Sequence, residues 1–362
     1  MTRIFTIIGA RPQFIKAAAV SRRISVDPRL QESLVHTGQH YDTNMSDVFF
    51  KEMGIPKPAH HLGIAGGGHG DMTGRMLMAL EELFLAERPD LVMIYGDTNS
   101  TLAGALAAAK LHIPVVHVEA GLRSFNRRMP EEVNRILADQ CSDLLFTPTA
   151  AATANLLREG ITATKIVECG DVMFDASLHF SQKAIEGGNG AARFGMKTSG
   201  YVLATVHRQE NTDDLARLTA IIDGLSQVAT ELPVLLPLHP RTRARAEAAA
   251  LGDKLATITV IEPVGYLDMV GLEKDAAVIA TDSGGVQKEA FFHKIPCVTL
   301  RDETEWVELV ESGWNMLVPP TSAKVIRDAI LQARGRQGRD IAPYGGGDAA
   351  GMIVDRLREY TS

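Results

Sequence analysis

The stretch RIFTIIGARPQFIK, residues 3 to 16, decides the fold class. Its apolar run RIFTII is rich in β-branched residues, as expected of a buried strand, and a glycine follows at once. The loop after Gly9 then carries Arg11 towards a helix that begins near Lys16. The stretch therefore predicts a strand, a short loop and a helix in succession, which is the first half of a βαβ unit.

The same alternation recurs along the whole chain, roughly every 25 to 30 residues. Short β-branched runs separated by Ala/Leu-rich stretches of helical period are typical of parallel sheets covered by helices. The runs suffice for two such sheets, so the fold class is predicted to be α/β. They are residues 3–8, 33–37, 90–95, 114–119, 143–148, 165–169, 201–206, 233–238, 258–262, 276–281, 297–300 and 315–318.

The composition is that of an ordinary soluble protein with enough length for two domains. The chain has 362 residues, of which 45% are hydrophobic and 22% charged. Its net charge is −7 and no run of five like charges occurs, which argues against nucleic acid or an anionic membrane as the main partner. The N-terminal apolar run is too short for a signal peptide or a membrane anchor, so we expect a cytoplasmic protein. The three cysteines are far apart without a CxxC pattern, and we interpret them as packing residues.

A polar segment containing GGNG, residues 187–190, separates the sixth and seventh predicted strands. Such a composition marks a domain boundary, and we place the hinge slightly earlier, near Gly170. The N-terminal domain is thus predicted to span residues 1–170 and the C-terminal domain residues 171–346. After the breaker YGGG, residues 347–362 are predicted to form a helix that packs back onto the first domain.

The loops after the predicted strands are rich in glycine and in polar or charged residues. Ligands of open parallel sheets bind at the carboxyl ends of strands, so this enrichment indicates a binding site, although turn formation alone explains any single loop. Arg11 and Lys16 beside a helix N-terminus would suit an anion, whereas a surface Arg and Lys is the alternative. The loop is not GxGxxG, so the dinucleotide fingerprint is absent from the place where it belongs.

A glycine-rich run covers residues 63–74 ahead of a predicted helix. It lacks the GK[ST] ending of a Walker loop, so a flexible lid and a phosphate cradle are equal alternatives. The nearby His60, His61 and His69 lack the spacing of helical metal ligands, and we interpret them as loop residues.

Acidic side chains follow two of the predicted strands. Asp97 and Glu119 should both project from strand tips at one edge of the sheet, with capping of the next helix as the alternative for either residue. Glu131 and Arg135 lie one turn apart on one face of a helix, where a surface salt bridge is the alternative.

Polar residues also follow the strands of the second half. His207 and Arg208 end its first predicted strand and His239 ends the next; a lone histidine is usually structural, but His-Arg at a strand tip would suit a phosphate. The small residues 283–285, Ser-Gly-Gly, open a helix and would let backbone N–H groups meet a phosphate. Glu289, one turn on, would accept hydrogen bonds from ribose hydroxyls. Together these residues predict nucleotide binding.

Six motifs occur in a fixed order: GARPxxxxK, GDT, VEAGLRS, MPEExNR, HRxEN and TDSGGxQKE. With them the chain resembles the non-hydrolysing UDP-N-acetylglucosamine 2-epimerases over essentially its whole length. The resemblance implies two Rossmann-like domains, each a parallel sheet flanked by helices, in the glycosyltransferase-B arrangement with the active site in the interdomain cleft. It also implies inversion at C2 of a UDP-sugar without a metal or a nicotinamide cofactor, and a homodimer.

The candidate site residues follow from the strand ends and from the resemblance. The strand ends indicate Arg208 and His239 for UDP binding, and the resemblance adds Arg11, His207, Ser283, Gly284, Gly285, Glu289 and, near the uracil, Tyr266. The catalytic candidates around the sugar are Lys16, Asp97, Glu119, Glu131 and Arg135, with His207 stabilising the departing diphosphate. Which carboxylate serves which face of C2 stays open.

The chain departs from the family pattern in two places. Thr304-Glu305-Trp306 stands where many members have TER, which removes an arginine expected in the cleft. Gln39-His40-Tyr41-Asp42 stands where bacterial members have a QHR segment linked to allosteric substrate binding, so the resemblance does not extend to that regulation.

The resemblance leaves two substrates open. It implies conversion of UDP-GlcNAc to UDP-ManNAc, but GARPQFIK, GGGHG and RDETEWVEL look like the subgroup that acts on UDP-2,3-diacetamido-2,3-dideoxy-glucuronate. A glycosyltransferase of the same architecture, a hydrolysing epimerase and a non-catalytic nucleotide-sugar binding protein are three further hypotheses for the function.

Overall fold

The computed structural model describes residues 1–39 and 54–360. The chain divides into two compact units, of which unit 1 comprises Met1–Ala176 and Ala342–Ser362 and unit 2 comprises Ser177–Ile341. The chain therefore leaves unit 1 once and returns to it at its end. No helix within the described residues combines the length and the apolar character that crossing a bilayer requires.

Unit 1 is a parallel sheet covered by helices. Its strands are β1 (Thr2–Ile8), β2 (Leu30–His36), β3 (His60–His61), β4 (Leu91–Tyr95), β5 (Val115–Val118), β6 (Leu144–Thr147) and β7 (Ile166–Glu168). In the described residues they form one sheet in the order β3-β2-β1-β4-β5-β6-β7. The helices are α1 (Arg11–Ile24), α2 (His69–Glu87), α3 (Asn99–Lys110), α4 (Pro130–Cys141), α5 (Ala150–Arg158) and α6 (Val172–Glu186), the last of which continues into unit 2.

Unit 2 repeats this architecture. Its strands are β8 (Val202–Thr205), β9 (Val234–Pro237), β10 (Thr259–Ile261), β11 (Val278–Thr281), β12 (Cys297–Thr299) and β13 (Asn315–Leu317), in the order β10-β9-β8-β11-β12-β13. Its helices are α7 (Gln209–Thr212), α8 (Leu215–Ala229), α9 (Pro240–Ala248), α10 (Gly252–Leu255), α11 (Tyr266–Asp275), α12 (Gly284–Phe292), α13 (Val307–Glu311) and α14 (Ala323–Ala333). Unit 1 is completed by α15 (Ala349–Tyr360).

The predicted fold class is confirmed, since each unit is a parallel sheet flanked by helices. Each predicted strand overlaps an observed one. The short strand β3 was not predicted; it has only two residues, lies at the edge of the sheet and pairs with β2. Two residues carry too little periodicity to reveal a strand.

Both cores follow from strands that are buried on two faces. All five residues of β4 are buried, as are all four of β8, because helices cover both sides of a parallel sheet. Burial of each large aliphatic side chain contributes roughly 1.5 to 3 kcal/mol, which makes these apolar runs the main stabilising element of the fold.

In each sheet the strand order reverses once. In unit 1 the reversal lies between β1 and β4, and in unit 2 it lies between β8 and β11. At such a switch point the connections from the two strands diverge to opposite faces and leave a crevice at the carboxyl edge, where ligands of doubly wound sheets bind. The loops after these four strands are thus the first place to look for a site.

The C-terminal helix α15 is tied into unit 1 through its N-terminus. The carboxylate of Asp175 on α6 accepts hydrogen bonds from the N–H groups of Ala349 at 3.0 Å and Ala350 at 2.8 Å, and so caps α15 from outside its own sequence. Near the other end, Arg358 pairs with Asp27. Residues at the start and the end of the chain therefore share one core.

We expect Asp175→Ala to lower the free energy of unfolding by about 1 to 2 kcal/mol, the usual range for loss of an N-terminal cap. Asp175→Asn keeps one acceptor oxygen and should lose less. Urea titration of both variants against the wild type measures the difference. Equal stability of the alanine variant and the wild type would show that the cap is not needed.

Candidate active site

The switch point of unit 1 is held together by one buried carboxamide. The Oε1 atom of Gln13 accepts from the N–H groups of Gly9 at 2.8 Å and Ala10 at 3.1 Å, while its Nε2 donates to the carbonyl of Tyr95 at 2.9 Å. The ends of β1 and β4 are therefore fixed to each other. Arg11 begins α1, but its side chain, with the UDP-binding role predicted for it, lies outside the described part of the structure.

A buried ion pair lies beside this junction. The Nζ atom of Lys16 pairs with Oε2 of Glu119, and both residues are only 8% exposed. Glu119 adopts a left-handed backbone conformation with φ of 68°, which is costly for a residue with a side chain and is typical of functional positions. Sequence analysis expected both residues at the carboxyl edge, and the structure brings them into direct contact.

Gly96 makes room for this pair. It has φ of 62°, and a Cβ atom placed on it would lie 3.1 Å from Lys16 Nζ and 3.2 Å from Glu119 Oε2. Any larger residue would strain the backbone and press on both charged groups.

A second pair of opposite charges involves Asp97 and Arg135. Arg135 donates from Nη2 to Asp97 Oδ2 at 2.6 Å and from Nη1 to Glu132 Oε2 at 2.9 Å. The cap of the following helix is Thr98, whose hydroxyl accepts from Thr101, so capping is not the role of Asp97. A surface salt bridge with Glu131 was the alternative considered for Arg135, whereas the structure buries Arg135 and pairs it with Asp97 and Glu132. Glu131 itself is half-buried in the first turn of α4.

Glu132 was not anticipated as a site residue. Burial opposes its ionisation, but the N–H groups of Ser124 and Phe125, each at 2.9 Å, together with Arg135 outweigh that effect and hold its pKa below the ordinary value. Glu132 is therefore an anion at neutral pH that orients Arg135 towards Asp97. Two consecutive glutamates in the first turn of a helix do not reveal from sequence which of them turns inward.

An amide network extends this edge towards the glycine-rich run. Asn134 donates from Nδ2 to the carbonyl of Asp97 at 2.9 Å, and to Oδ1 of Asn99 at 3.3 Å. Asn99 in turn lies 3.2 Å from Nδ1 of His69. His69 was interpreted as a loop residue, but it is the first residue of α2 and belongs to the surroundings of Asp97. No group of three or more His, Cys, Asp or Glu side chains suited to a metal ion occurs among residues 1–39 and 54–360.

The switch point of unit 2 is organised by Asp282. Its carboxylate accepts from the N–H groups of His207 at 3.1 Å and Arg208 at 3.0 Å, and from Asn211 Nδ2 at 3.1 Å. Asp282 is fully buried and follows β11, whereas its donors follow β8. Asp282 was not anticipated as a site residue, although it lies within the TDSGGxQKE motif. Its carboxylate fixes the loop that carries His207 and Arg208.

The helix after Asp282 offers backbone donors. Ser283 is the N-cap of α12 and its hydroxyl accepts from Val286, so Gly284 and Gly285 occupy the first turn, whose N–H groups have no acceptor within the helix. A Cβ atom on Gly284 would lie 2.6 Å from Oε1 of Glu305. Residues 304–306 therefore border the predicted diphosphate contact.

The remaining predicted residues of unit 2 lie on neighbouring loops. Tyr266 begins α11, is 2% exposed, packs edge-on against Phe180 with ring centroids 5.3 Å apart, and donates its hydroxyl to Glu289 at 3.1 Å. The tyrosine thus orients Glu289, and its predicted contact with uracil stays a prediction. His239 is exposed and serves as the N-cap of α9, where its Nδ1 accepts from Arg241. Residues 40–42, part of the segment that stands in place of the QHR segment of bacterial members, lie outside the described residues.

The known proteins that this chain is similar to are UDP-sugar 2-epimerases. The profile of the family described as UDP-N-acetylglucosamine 2-epimerase matches residues 22–358. A UDP-2,3-diacetamido-2,3-dideoxy-D-glucuronate 2-epimerase of Pseudomonas aeruginosa is 55% identical over 98% of this chain and 99% of its own. A UDP-N-acetylglucosamine 2-epimerase of Methanocaldococcus jannaschii is 44% identical over 99% of each chain.

Solved structures agree with this result. The crystal structure of the Methanocaldococcus jannaschii enzyme in complex with UDP-GlcNAc and UDP superposes with a TM-score of 0.92 at 43% identity, covering 99% of this chain and 100% of that one. The Neisseria meningitidis UDP-GlcNAc 2-epimerase bound to UDP-GlcNAc gives a TM-score of 0.87 at 30% identity, with the same coverage. The chain belongs to the UDP-N-acetylglucosamine 2-epimerase family, which confirms the resemblance found in its motifs.

We expect Gly96→Ala to lower the free energy of unfolding by about 1 to 2 kcal/mol, because alanine is disfavoured at a positive φ and its methyl group meets the Lys16–Glu119 pair. The matched control is Gly74→Ala in α2, where nothing lies within 4 Å of an added Cβ. That variant should be unchanged or up to about 1 kcal/mol more stable. Chemical denaturation of both variants tests the difference, and equal effects would contradict it.

Proposed function

We propose that the protein is a non-hydrolysing 2-epimerase that inverts C2 of a UDP-N-acetylhexosamine, converting UDP-GlcNAc to UDP-ManNAc. The observation that carries the proposal is the pairing of Lys16 with Glu119 and of Asp97 with Arg135 at one carboxyl edge, in a chain of the epimerase family. These pairs supply acids and bases at a strand edge where a sugar would bind.

The reaction poses a physical problem at C2. A proton beside an acetamido group is not acidic, so a side-chain base cannot remove it unaided at a useful rate. If the C1–O bond to UDP breaks first or nearly so, positive charge on the ring acidifies the C2 hydrogen while negative charge develops on UDP. The site must therefore stabilise an anionic diphosphate and accept a proton, which requires groups of both signs.

Unit 2 carries groups suited to the diphosphate. We assign Arg208, His207 and the first-turn N–H groups of α12 to the departing phosphate oxygens, with Arg11 of unit 1 in the same role. Each such donor stabilises the developing charge by on the order of 3 kcal/mol in a site that excludes water. Glu289, oriented by Tyr266, would accept from ribose hydroxyls.

Unit 1 carries groups suited to the sugar. Glu119, Asp97 or Glu131 would accept the C2 proton, an effect of about 10² to 10⁴-fold on rate. Elimination gives a 2-acetamidoglucal and UDP; readdition of UDP with protonation from the opposite face gives the epimer. Two acid/base groups on opposed faces are required, and Lys16 and Arg135 balance their charge.

A second substrate is favoured by a specific observation. The Pseudomonas aeruginosa relative at 55% identity is named for UDP-2,3-diacetamido-2,3-dideoxy-D-glucuronate, whereas the archaeal relative named for UDP-N-acetylglucosamine is 44% identical. The same elimination and readdition applies to both sugars, since both carry an acetamido group at C2.

The resemblance also leads us to propose that the protein is a cytoplasmic homodimer. Light scattering tests the oligomeric state, and cell fractionation tests the location.

Epimerisation in D2O without added metal should give a product that carries deuterium at C2, because the proton at that carbon is exchanged during the elimination. NMR of the UDP-sugar measures it, with UDP-GlcNAc and the diacetamido-glucuronate compared in parallel. A product without deuterium at C2 rules out the mechanism. Turnover only with an added acceptor would indicate a glycosyltransferase, and free UDP accumulating in step with turnover a hydrolysing enzyme.

We expect Glu119→Gln and Asp97→Asn to lower kcat at least about 100-fold while the protein stays folded, because each removes an ionised oxygen from the proposed proton transfer. Glu81→Gln on the exposed side of α2 is the matched control and should keep wild-type kcat. Steady-state kinetics and circular dichroism check both points. Unchanged turnover in both site variants would remove these carboxylates from the chemistry.

A further inference from the structure

His117 in β5 is a fully buried histidine that bonds on both sides of its ring. Its Nδ1 lies 2.7 Å from Oδ1 of Asp139 on α4, and its Nε2 lies 2.8 Å from the carbonyl oxygen of Gly96. The side chains of His117 and Asp139 are both 0% exposed. Because His117 lies within a strand and not after its end, it was not among the candidate site residues.

The partners determine where the ring protons are. A carbonyl oxygen can only accept, so Nε2 must carry a hydrogen. Asp139 Oδ2 accepts from Arg123 Nη1 at 2.8 Å and from the N–H of Gly121 at 3.2 Å, which is the environment of an ionised carboxylate. Its Oδ1 is then also an acceptor, and Nδ1 must donate to it. A neutral ring would direct a lone pair at one of these oxygens, so the geometry requires an imidazolium.

The charges around this ring are balanced. Arg123 donates to both oxygens of Glu159, at 2.8 Å from Nε and at 2.6 Å from Nη2. Burial disfavours the charged form of Arg123, but Glu159 and Asp139 together raise its pKa above the ordinary value. Two cations, His117 and Arg123, thus face two anions, Asp139 and Glu159. Such a balance is what allows an ionised histidine to persist away from water.

The Nε2 of His117 donates to the carbonyl of the Gly96–Asp97 peptide, which leads from β4 to the proposed catalytic groups. Gly96 is followed directly by Asp97, its N–H donates to the carbonyl of Val118 at 3.0 Å, and its Cα lies against the Lys16–Glu119 pair. With Val118 on one side and His117 on the other, both polar groups of Gly96 are held by β5. The orientation of this peptide decides where Asp97 and Glu119 stand relative to each other.

We propose that His117 is a positioning residue whose ring donates from both nitrogens in the resting protein and fixes the Gly96–Asp97 peptide, and through it the carboxylates of Asp97 and Glu119. The part of this proposal that concerns the reaction rests on the proposed function. The charge of the ring does not, and it is testable on the resting protein.

NMR of the full-length protein labelled with ¹⁵N at histidine tests the charge directly. We expect one histidine of the resting protein to show a proton on both ring nitrogens, and His117→Gln to abolish that signal. His112→Asn, at an exposed histidine in a left-handed conformation that asparagine tolerates, is the control that should leave the signal in place. A ring of His117 with one unprotonated nitrogen at neutral pH would overturn the proposal.

Kinetics test the consequence for the site. His117→Gln keeps a donor for the Gly96 carbonyl but loses the charge, and we expect kcat to fall roughly 10-fold to 100-fold with KM changed much less, since misplacement of catalytic groups acts mainly on turnover. Asp139→Asn removes the anion that accepts from Nδ1, so the ring should lose one of its two ring-nitrogen protons and kcat should fall in the same range, again with KM changed much less. The His112→Asn control should match the wild type.

The outcomes separate the two proposals. Wild-type kcat in both variants would refute the positioning role. If His117→Gln does not fold, the kcat of Asp139→Asn still tests the positioning role, and the ring-nitrogen spectrum of the wild type still tests the charge of His117. A wild type that epimerises neither UDP-sugar but shows the doubly protonated ring would refute the proposed function and leave the charge assignment supported.

Discussion

Parallel pairing in each sheet forces the carboxyl ends of neighbouring strands to one edge, and the chemistry of both units depends on this constraint. In unit 1 the strands β1, β4 and β5 are adjacent, so the loops that carry Gly9, Asp97 and Glu119 emerge side by side although they are far apart in sequence. In unit 2 the pairing of β8 with β11 does the same for His207 and Ser283. The reversal of strand order beside each of these loops provides space for a ligand.

Charge balance is the second constraint, and it follows from burial. An unpaired ion that is removed from water costs several kcal/mol, so every buried charge at the edge of unit 1 needs a partner. Lys16 has Glu119, while Arg135 has both Asp97 and Glu132. These pairs hold the charged groups in defined positions, which is what the proposed proton transfer would require.

Much of the architecture was predictable because it rests on local pattern. β-branched runs revealed the strands, and short motifs after them revealed which strand ends carry charged residues. The family resemblance followed from the same loops. What the pattern did not show are the residues that fix those loops: Gln13 reaches a carbonyl 82 positions away, and Asp282 binds a donor 75 positions away. Such partners depend on strand order, which a periodicity does not encode.

The same limit applies to orientation within an element. Glu131 and Glu132 are adjacent in sequence, yet it is Glu132 that turns inward to Arg135. β3 escaped notice because it has only two residues.

The return of the chain to unit 1 through α15 has a consequence for biosynthesis. Segments leave the ribosome in order from the N-terminus, and α15, which Asp175 of α6 caps and which carries Arg358, emerges after α1 and α6. Unit 2 is a contiguous stretch and is fully synthesised before α15. The enclosed unit is therefore able to complete its core during translation, whereas the enclosing one cannot close until α15 has been synthesised.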